Sequence, residues 1–226
     1  MRNSESKCRE GAPSAGRVNG WLALLAAAVL VTAGLGIGVR ADEPDAAAQL
    51  HAQKIAITVC GTCHGPQGNS TQPKFPRLAS QKDNYLVTQL KAFRAETRGD
   101  PDAIGYMWGM ASELDDETID ALAHYYSIQK AGATHGGDPG LVARGREIYE
   151  HGIESEGVPA CSSCHGPDAH GLQDFPRLAG QHPQYLLKQL ASFQSNMRKV
   201  AIMHGVAQNL RMAQMQAVAA YLEAQP

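Results

Sequence analysis

The chain has 226 residues, with 20 basic and 22 acidic side chains and a formal net charge of −2. That length fits one large domain or two small ones. The composition is that of an ordinary globular protein, and the charge balance leaves no basic patch to suggest nucleic acid.

The first forty residues read as a leader. Arg2, Lys7, Arg9 and Arg17 precede an uninterrupted apolar run from Trp21 to Val39. Val39-Arg40-Ala41 then places small residues around a cleavage point, before Asp42-Glu43-Pro44-Asp45. This is the layout of a secretory signal peptide, residues 1–41, removed after Ala41. The rival reading is a retained membrane anchor, because the run is nearly long enough to span. Either way the remainder is exported, and a periplasmic location is expected. Cys8 leaves with the leader. Without residues 1–41 the balance of Lys and Arg against Asp and Glu moves to about −5, which favours partners with a positive docking surface.

From Ala46 to Cys60, Leu50, Ile55 and Val59 recur at helical spacing and predict a helix. It leads into Cys60-Gly61-Thr62-Cys63-His64. Disulfides are the usual expectation for cysteines in an exported chain, but Cys-x-x-Cys-His is the attachment signature of c-type haem. Two thiols three positions apart can add to the two vinyl groups of one porphyrin, and the adjacent histidine then lies under the iron. A thioredoxin-like redox pair and a zinc site are the competing readings.

Phe75-Pro76-Arg77-Leu78-Ala79-Ser80-Gln81 follows, then a helix with Tyr85, Leu86, Leu90 and Phe93 on one face. Met107 and Met110 come next, and a last helix runs from about Asp115 to Ile128, with Ile119, Leu122, Ala123 and Tyr126 as its apolar stripe. The Gly- and Pro-containing stretch from Ala131 to Gly140 reads as a linker.

The same order then repeats. A helix over Leu141 to Tyr149 and a loop from His151 to Pro159 precede Cys161-Ser162-Ser163-Cys164-His165. Phe175-Pro176-Arg177-Leu178-Ala179-Gly180-Gln181 matches the first copy, as do Tyr185-Leu186, Gln189-Leu190 and Phe193. Met203 and a last helix over Leu210 to Leu222, striped by Met212, Met215, Ala219 and Leu222, complete it. Such a long period marks a duplicated domain rather than a solenoid. The expected division is 42–135 and 136–226. With no convincing period-two alternation, the fold class is all-α.

The repeat also selects axial ligands. His64 and His165 leave one position on each iron, and methionine is the usual partner in cytochromes c. Met107 lies seven residues before Leu114, as Met203 lies before Leu210, whereas Met110 aligns with Val206. Met107 and Met203 are the expected ligands, with Met110 as core filler and His204 as the main rival. Pro76 and Pro176 are spaced to offer a carbonyl to the second ring nitrogen of each histidine. Arg77 and Arg177 are candidates for a haem propionate. Asp115, Asp116 and Glu117 suit the first turn of one last helix, while Arg211, Met212 and Ala213 do not, so the second should start less firmly.

Through CxxCHG, FPRLAxQ and Met-x-x-x-Ala-x-x-Leu, present in both halves, residues 42–226 resemble the dihaem class I cytochromes c of the cytochrome c4 type. The resemblance implies two tandem cytochrome c-like domains related by a pseudo-twofold axis, two covalent haems c with His/Met ligation, and a periplasmic electron carrier. Its implied donor is a membrane-bound quinol:cytochrome oxidoreductase or dehydrogenase, and its acceptor a terminal oxidase or other reductase, with peripheral membrane association compatible. Two alternatives stand beside this: a dihaem subunit of a periplasmic dehydrogenase complex, and a dihaem enzyme with one displaceable axial ligand. No phosphate loop, paired metal-ligand helix or nucleophile elbow suggests other catalysis.

Overall fold

The computed structural model describes residues 45–226, so the leader expected at 1–41 lies outside the described residues. Among the described residues there are ten α-helices, no strand, and one isolated bridge between Ile153 and Val158. No described helix is long and apolar enough to cross a membrane.

Helix α1 (Ala46–Ile55) begins where the Asp45 carboxylate accepts the Ala48 N–H. It continues through a π-helical turn, Ala56–Cys60, into the short α2 (Gly61–His64). The buried face is not the expected Leu50–Val59 stripe, since both residues are exposed. Ala52 and Ala56 are buried instead, in a cluster with Leu86, Ala121, Leu122 and Tyr126. Small side chains let helices approach closely, which outweighs the area a leucine would bury.

Helix α3 (Asp83–Arg94) buries Leu86 and Phe93, as its pattern predicts. A second π-helical turn, Ala103–Met107, leads into α4 (Trp108–Ala111). Helix α5 (Asp116–Ser127) is capped by Asp115, which accepts from the Thr118 N–H at 2.8 Å. Its whole predicted stripe, Ile119, Leu122, Ala123 and Tyr126, is buried.

The second half packs α6 (Pro139–His151) against α10 (Met212–Ala224). A Cβ on Gly145 would lie 2.0 Å from the Ala217 carbonyl oxygen, so only glycine permits this crossing. Between them lie α7 (Ser162–His165), α8 (Pro183–Gln194) and α9 (Ala201–Ala207). In α10, Met215, Ala219 and Leu222 are buried, but Met212 is exposed at the helix edge.

The start of α10 is firmer than its first-turn composition predicts. The Gln214 side chain accepts from the Arg211 N–H at 2.7 Å and donates to Glu156 at 2.9 Å, and Arg211 pairs with Glu156 at 2.7 Å. Glu156 belongs to the loop between α6 and α7, where Val158 is buried with Leu210 and Met215. The loop supplies from a distance the negative charge that Asp115 to Glu117 supply locally in α5.

The two halves meet through a reciprocal clamp. Gln81 donates to the Arg177 carbonyl at 2.9 Å and accepts from the Arg177 N–H at 2.8 Å. Gln181 makes the mirror pair with Arg77, both bonds at 2.9 Å. His182 is buried beside it, and its Nε2 donates to the Ser70 carbonyl at 2.9 Å. Deeper in the contact, the Arg98 and Arg198 side chains converge on the carbonyl oxygens of Gln89 and Gln189, at 2.7–2.8 Å. Only Arg98 has a carboxylate, Asp100, 2.7 Å from its Nε; the corresponding residue of the second half is Val200, and Arg198 Nε is buried without a partner. Burial would raise the Asp100 pKa, but Arg98 outweighs it and holds the carboxyl below its ordinary value.

Three outcomes follow from these contacts. Glu156→Ala should cost about 0.5–1 kcal/mol, measured by urea unfolding of the haem-loaded protein. Asp100→Asn leaves two buried guanidiniums without a carboxylate and should cost about 3–5 kcal/mol in the same assay. Burial, reinforced by Arg77, lowers the His182 pKa. A lowered histidine pKa contributes stability above the unfolded value of about 6.5, lost as pH falls through the folded value. The unfolding midpoint of His182→Gln should therefore vary less with pH below about 6.5 than that of the parent chain.

Candidate haem sites

Each Cys-x-x-Cys-His pentapeptide closes a helix. Cys60 ends the first π turn, Cys63 and His64 lie in α2, and Gly65 follows with φ +74°. A Cβ there would come within 2.6 Å of the Asn69 carbonyl oxygen, so the glycine of CxxCHG is required sterically. Gly166, after His165, has φ +81°. The second site is reached differently, since Cys161 follows the loop from Gly152 to Pro159 rather than a π turn.

Both histidines are buried, and each is oriented by the proline that its spacing predicts. His64 Nδ1 lies 2.9 Å from the Pro76 carbonyl oxygen, and His165 Nδ1 lies 3.0 Å from that of Pro176. A carbonyl can only accept, so Nδ1 carries the proton and Nε2 keeps its lone pair. Burial lowers both imidazole pKa values against the opposing pull of these bonds, which favours the neutral, ligating form. Phe75 and Phe175 pack edge-on against the rings, at 6.2 and 6.0 Å between centroids.

The four pentapeptide cysteines are half-buried and form no disulfide. Burial pushes the Cys60 thiol up and the Cys161 thiol up to about 11. Redox-active Cys-x-x-Cys pairs need the opposite shift. Nor do three His, Cys, Asp or Glu side chains converge as a metal site among the described residues. Half-buried thiols beside an oriented neutral imidazole suit a macrocycle that bonds covalently to sulfur and is held from one face by nitrogen.

Met107 lies at the end of the second π turn, half-buried on Phe93, Ala103, Ala111 and Trp108. The preceding residue, Tyr106, stands edge-on to Phe75 at 5.8 Å, so an aromatic ladder connects the Met107 segment to His64. Met203 is half-buried in α9, a regular helix with no π turn. Met110 is exposed rather than core filler, and the cluster of Phe93, Ala103 and Ala111 that Met107 joins does not include it. The rival His204 has its Nδ1 bonded to the Phe193 carbonyl at 2.8 Å. Trp108, in the equivalent place of the first half, donates to the Arg98 carbonyl at 2.9 Å. Both residues tie the methionine-bearing helix to the rest of its half.

Exposed apolar side chains stand close in the chain to each pentapeptide and methionine: Val59, Ile104 and Tyr106 in one half, Leu172, Val200 and Ile202 in the other. Exposed apolar side chains next to the site fit its residues to a haem, which would cover them. The candidate propionate arginines are engaged elsewhere. Arg77 Nη1 donates to Gly180 O at 2.6 Å and Ala133 O at 3.2 Å, and Arg177 Nη2 to Pro226 O at 2.7 Å. Sequence reading missed the clamp and the Arg98–Arg198 contact. Their signal was the retention of Gln81, Gln89 and Arg98 as Gln181, Gln189 and Arg198, polar residues with no stripe to belong to.

The Cytochrome c family model matches residues 50–127 and again 142–225. Cytochrome c4 of Stutzerimonas stutzeri is 37% identical over 206 residues, covering 86% of this chain and 97% of that protein. The thiosulfate dehydrogenase electron acceptor of Thiomonas intermedia is 36% identical over 174 residues, covering 74% and 78%. The crystal structure of reduced recombinant cytochrome c4 from Pseudomonas stutzeri superposes with a TM-score of 0.71 at 34% identity, covering 81% of this chain and 100% of that one. With two Cys-x-x-Cys-His motifs and both repeats matched, the protein is a dihaem electron carrier with two haems c. The chain belongs to the cytochrome c family, within its dihaem cytochrome c4 type.

Proposed function

We propose that Cys60 and Cys63 hold one haem and Cys161 and Cys164 the other, with His64/Met107 and His165/Met203 as axial ligands. The observation that carries this reading is the duplicated histidine–proline bond, which aims a neutral Nε2 out of each pentapeptide. When bound, the haem supplies an iron that passes one electron at a time between ferric and ferrous states. The chain's own residues keep that exchange free of other chemistry. The thioethers would anchor the porphyrin without touching the iron, His64 with Met107 and His165 with Met203 would take the two iron positions that the porphyrin nitrogens leave, and methionine's soft sulfur would favour the reduced state. Phe75 and Phe175 shield the histidine faces from water.

In this reading residues 42–135 and 136–226 are the two haem domains. The leader directs export to the periplasm, where a membrane-bound quinol:cytochrome oxidoreductase or dehydrogenase reduces the protein and a terminal oxidase or reductase oxidises it. A second reading is favoured by the relative named as a thiosulfate dehydrogenase electron acceptor: the chain would serve one periplasmic dehydrogenase as its dedicated acceptor. A stable stoichiometric complex on purification from periplasm would select it.

The ligand assignment is tested by a pyridine haemochrome assay combined with the oxidised near-infrared spectrum. Two haems per chain, each with a methionine–iron charge-transfer band, are expected. Met107→Ala and Met203→Ala should each remove half of that band. A parent protein with only one such band would overturn the symmetric assignment and point to an enzyme with one open iron.

A further inference from the structure

The bonds that orient the histidines and the bonds that join the two halves meet on the same peptide groups. The Pro76 carbonyl and the Arg77 N–H belong to one planar peptide. On one side that peptide accepts from His64 Nδ1 at 2.9 Å; on the other it donates to the Gln181 side-chain oxygen at 2.9 Å. In the second half the Pro176–Arg177 peptide accepts from His165 at 3.0 Å and donates to Gln81 at 2.8 Å. Gln81 and Gln181 are themselves buried. Each glutamine is pinned by its amide nitrogen, which donates to the arginine carbonyl, and by the following backbone N–H, from Lys82 or His182.

We propose that each domain tunes the other's haem iron through this relay: Gln181 acts on the iron held by His64, and Gln81 on the iron held by His165. An amide whose N–H is donated carries more negative charge on its oxygen, so chained hydrogen bonds strengthen one another, most of all in a buried, low-dielectric setting. The stronger acceptor draws the Nδ1 proton of the histidine and makes the ring a better donor to iron, which favours the ferric state. Gln81 and Gln181 are thus positioning residues that reach the iron through two hydrogen bonds and one peptide. Correct docking of the two halves is built into both potentials. The inference rests on His64 and His165 being the axial histidines.

The test is a redox titration of the full-length, haem-loaded protein. The two haems are followed separately by their paramagnetically shifted methyl signals in NMR, assigned with Met107→Ala and Met203→Ala. Gln181→Ala removes the acceptor in the second domain, yet should move the first haem. Its ferrous-to-ferric ratio at a fixed potential should rise about two- to fivefold, with the second haem unchanged. Gln81→Ala should do the reverse. Gln181→Glu, which keeps an acceptor oxygen in place, should leave the first haem at the parent value or shift it toward ferric. A further readout is solvent exchange of the His64 ring N–H, which should quicken in Gln181→Ala while that of His165 does not. Equal movement of both haems in each single variant would show that the interface had merely loosened and would overturn the relay. So would movement of the haem in the mutated domain, or no movement in any variant. If the parent protein lacks histidine ring signals shifted by iron, the ligand reading fails instead, and the two failures are told apart before any variant is made.

Discussion

The Phe-Pro-Arg segment of each half answers two demands with consecutive atoms. Its proline carbonyl fixes the tautomer and direction of the buried histidine, and the next N–H and carbonyl are taken by a glutamine of the other half. Proline suits the first demand because it has no N–H to satisfy and a fixed φ. The arginine that follows tethers the segment by its side chain, to Gly180 and Ala133 in one copy and to Pro226 in the other. Buried backbone groups must be paired, and here the pairing of one half is completed by the other. Site geometry and domain docking are therefore a single structural problem.

That dependence explains why the interface is polar. Two small helical units could have met through an apolar patch, as many subunits do. Instead the contact is built from glutamines, tyrosines and two arginines, each with few alternative partners once buried. Such a contact adds less stability than an apolar one of the same area, but it specifies register, since a slip of a few ångströms would strand several donors at once. Guanidinium stacking supports the arrangement: Arg98 lies 4.7 Å above Phe93 and Arg198 4.6 Å above Phe193.

The symmetry is approximate, and its breaks are local. The first half uses π turns before Cys60 and at Met107, where the second uses a loop and a regular helix. Extra-wide turns inside helices tend to occur at functional positions, and here they shift the facing of Cys60 and Met107. The second half compensates at α10, where Glu156 from the loop does the work of a local acidic turn. The Asp100 carboxylate beside Arg98, with Val200 in the equivalent place, leaves the shared contact with one more cation than anion. Tyr85 registers this: burial would raise its pKa, yet Arg198 and Arg98 bring it below the ordinary value.

The sequence by itself determined the helical class, the duplication, the two pentapeptides, and the prolines that hold the histidines. These features rest on short-range chemistry: a spacing of thiols, a helical period, a carbonyl a fixed number of residues away. It also placed Ile119, Leu122, Ala123 and Tyr126 on a buried face, because their whole stripe meets other helices. It misplaced Leu50 and Val59, which share the period but not the burial, since helix contact there is made by alanines that hydropathy scores weakly, and Met212, which is exposed in the first turn of α10 while Met215 makes the contact. Only the tertiary structure decided what the repeated glutamines and Arg98 and Arg198 do. Their partners lie about 90 to 110 residues away in the chain, and no local pattern encodes which polar side chain meets its pseudo-symmetric mate. The same reason hid the firmness of α10, whose anchoring charge comes from a loop more than fifty residues earlier.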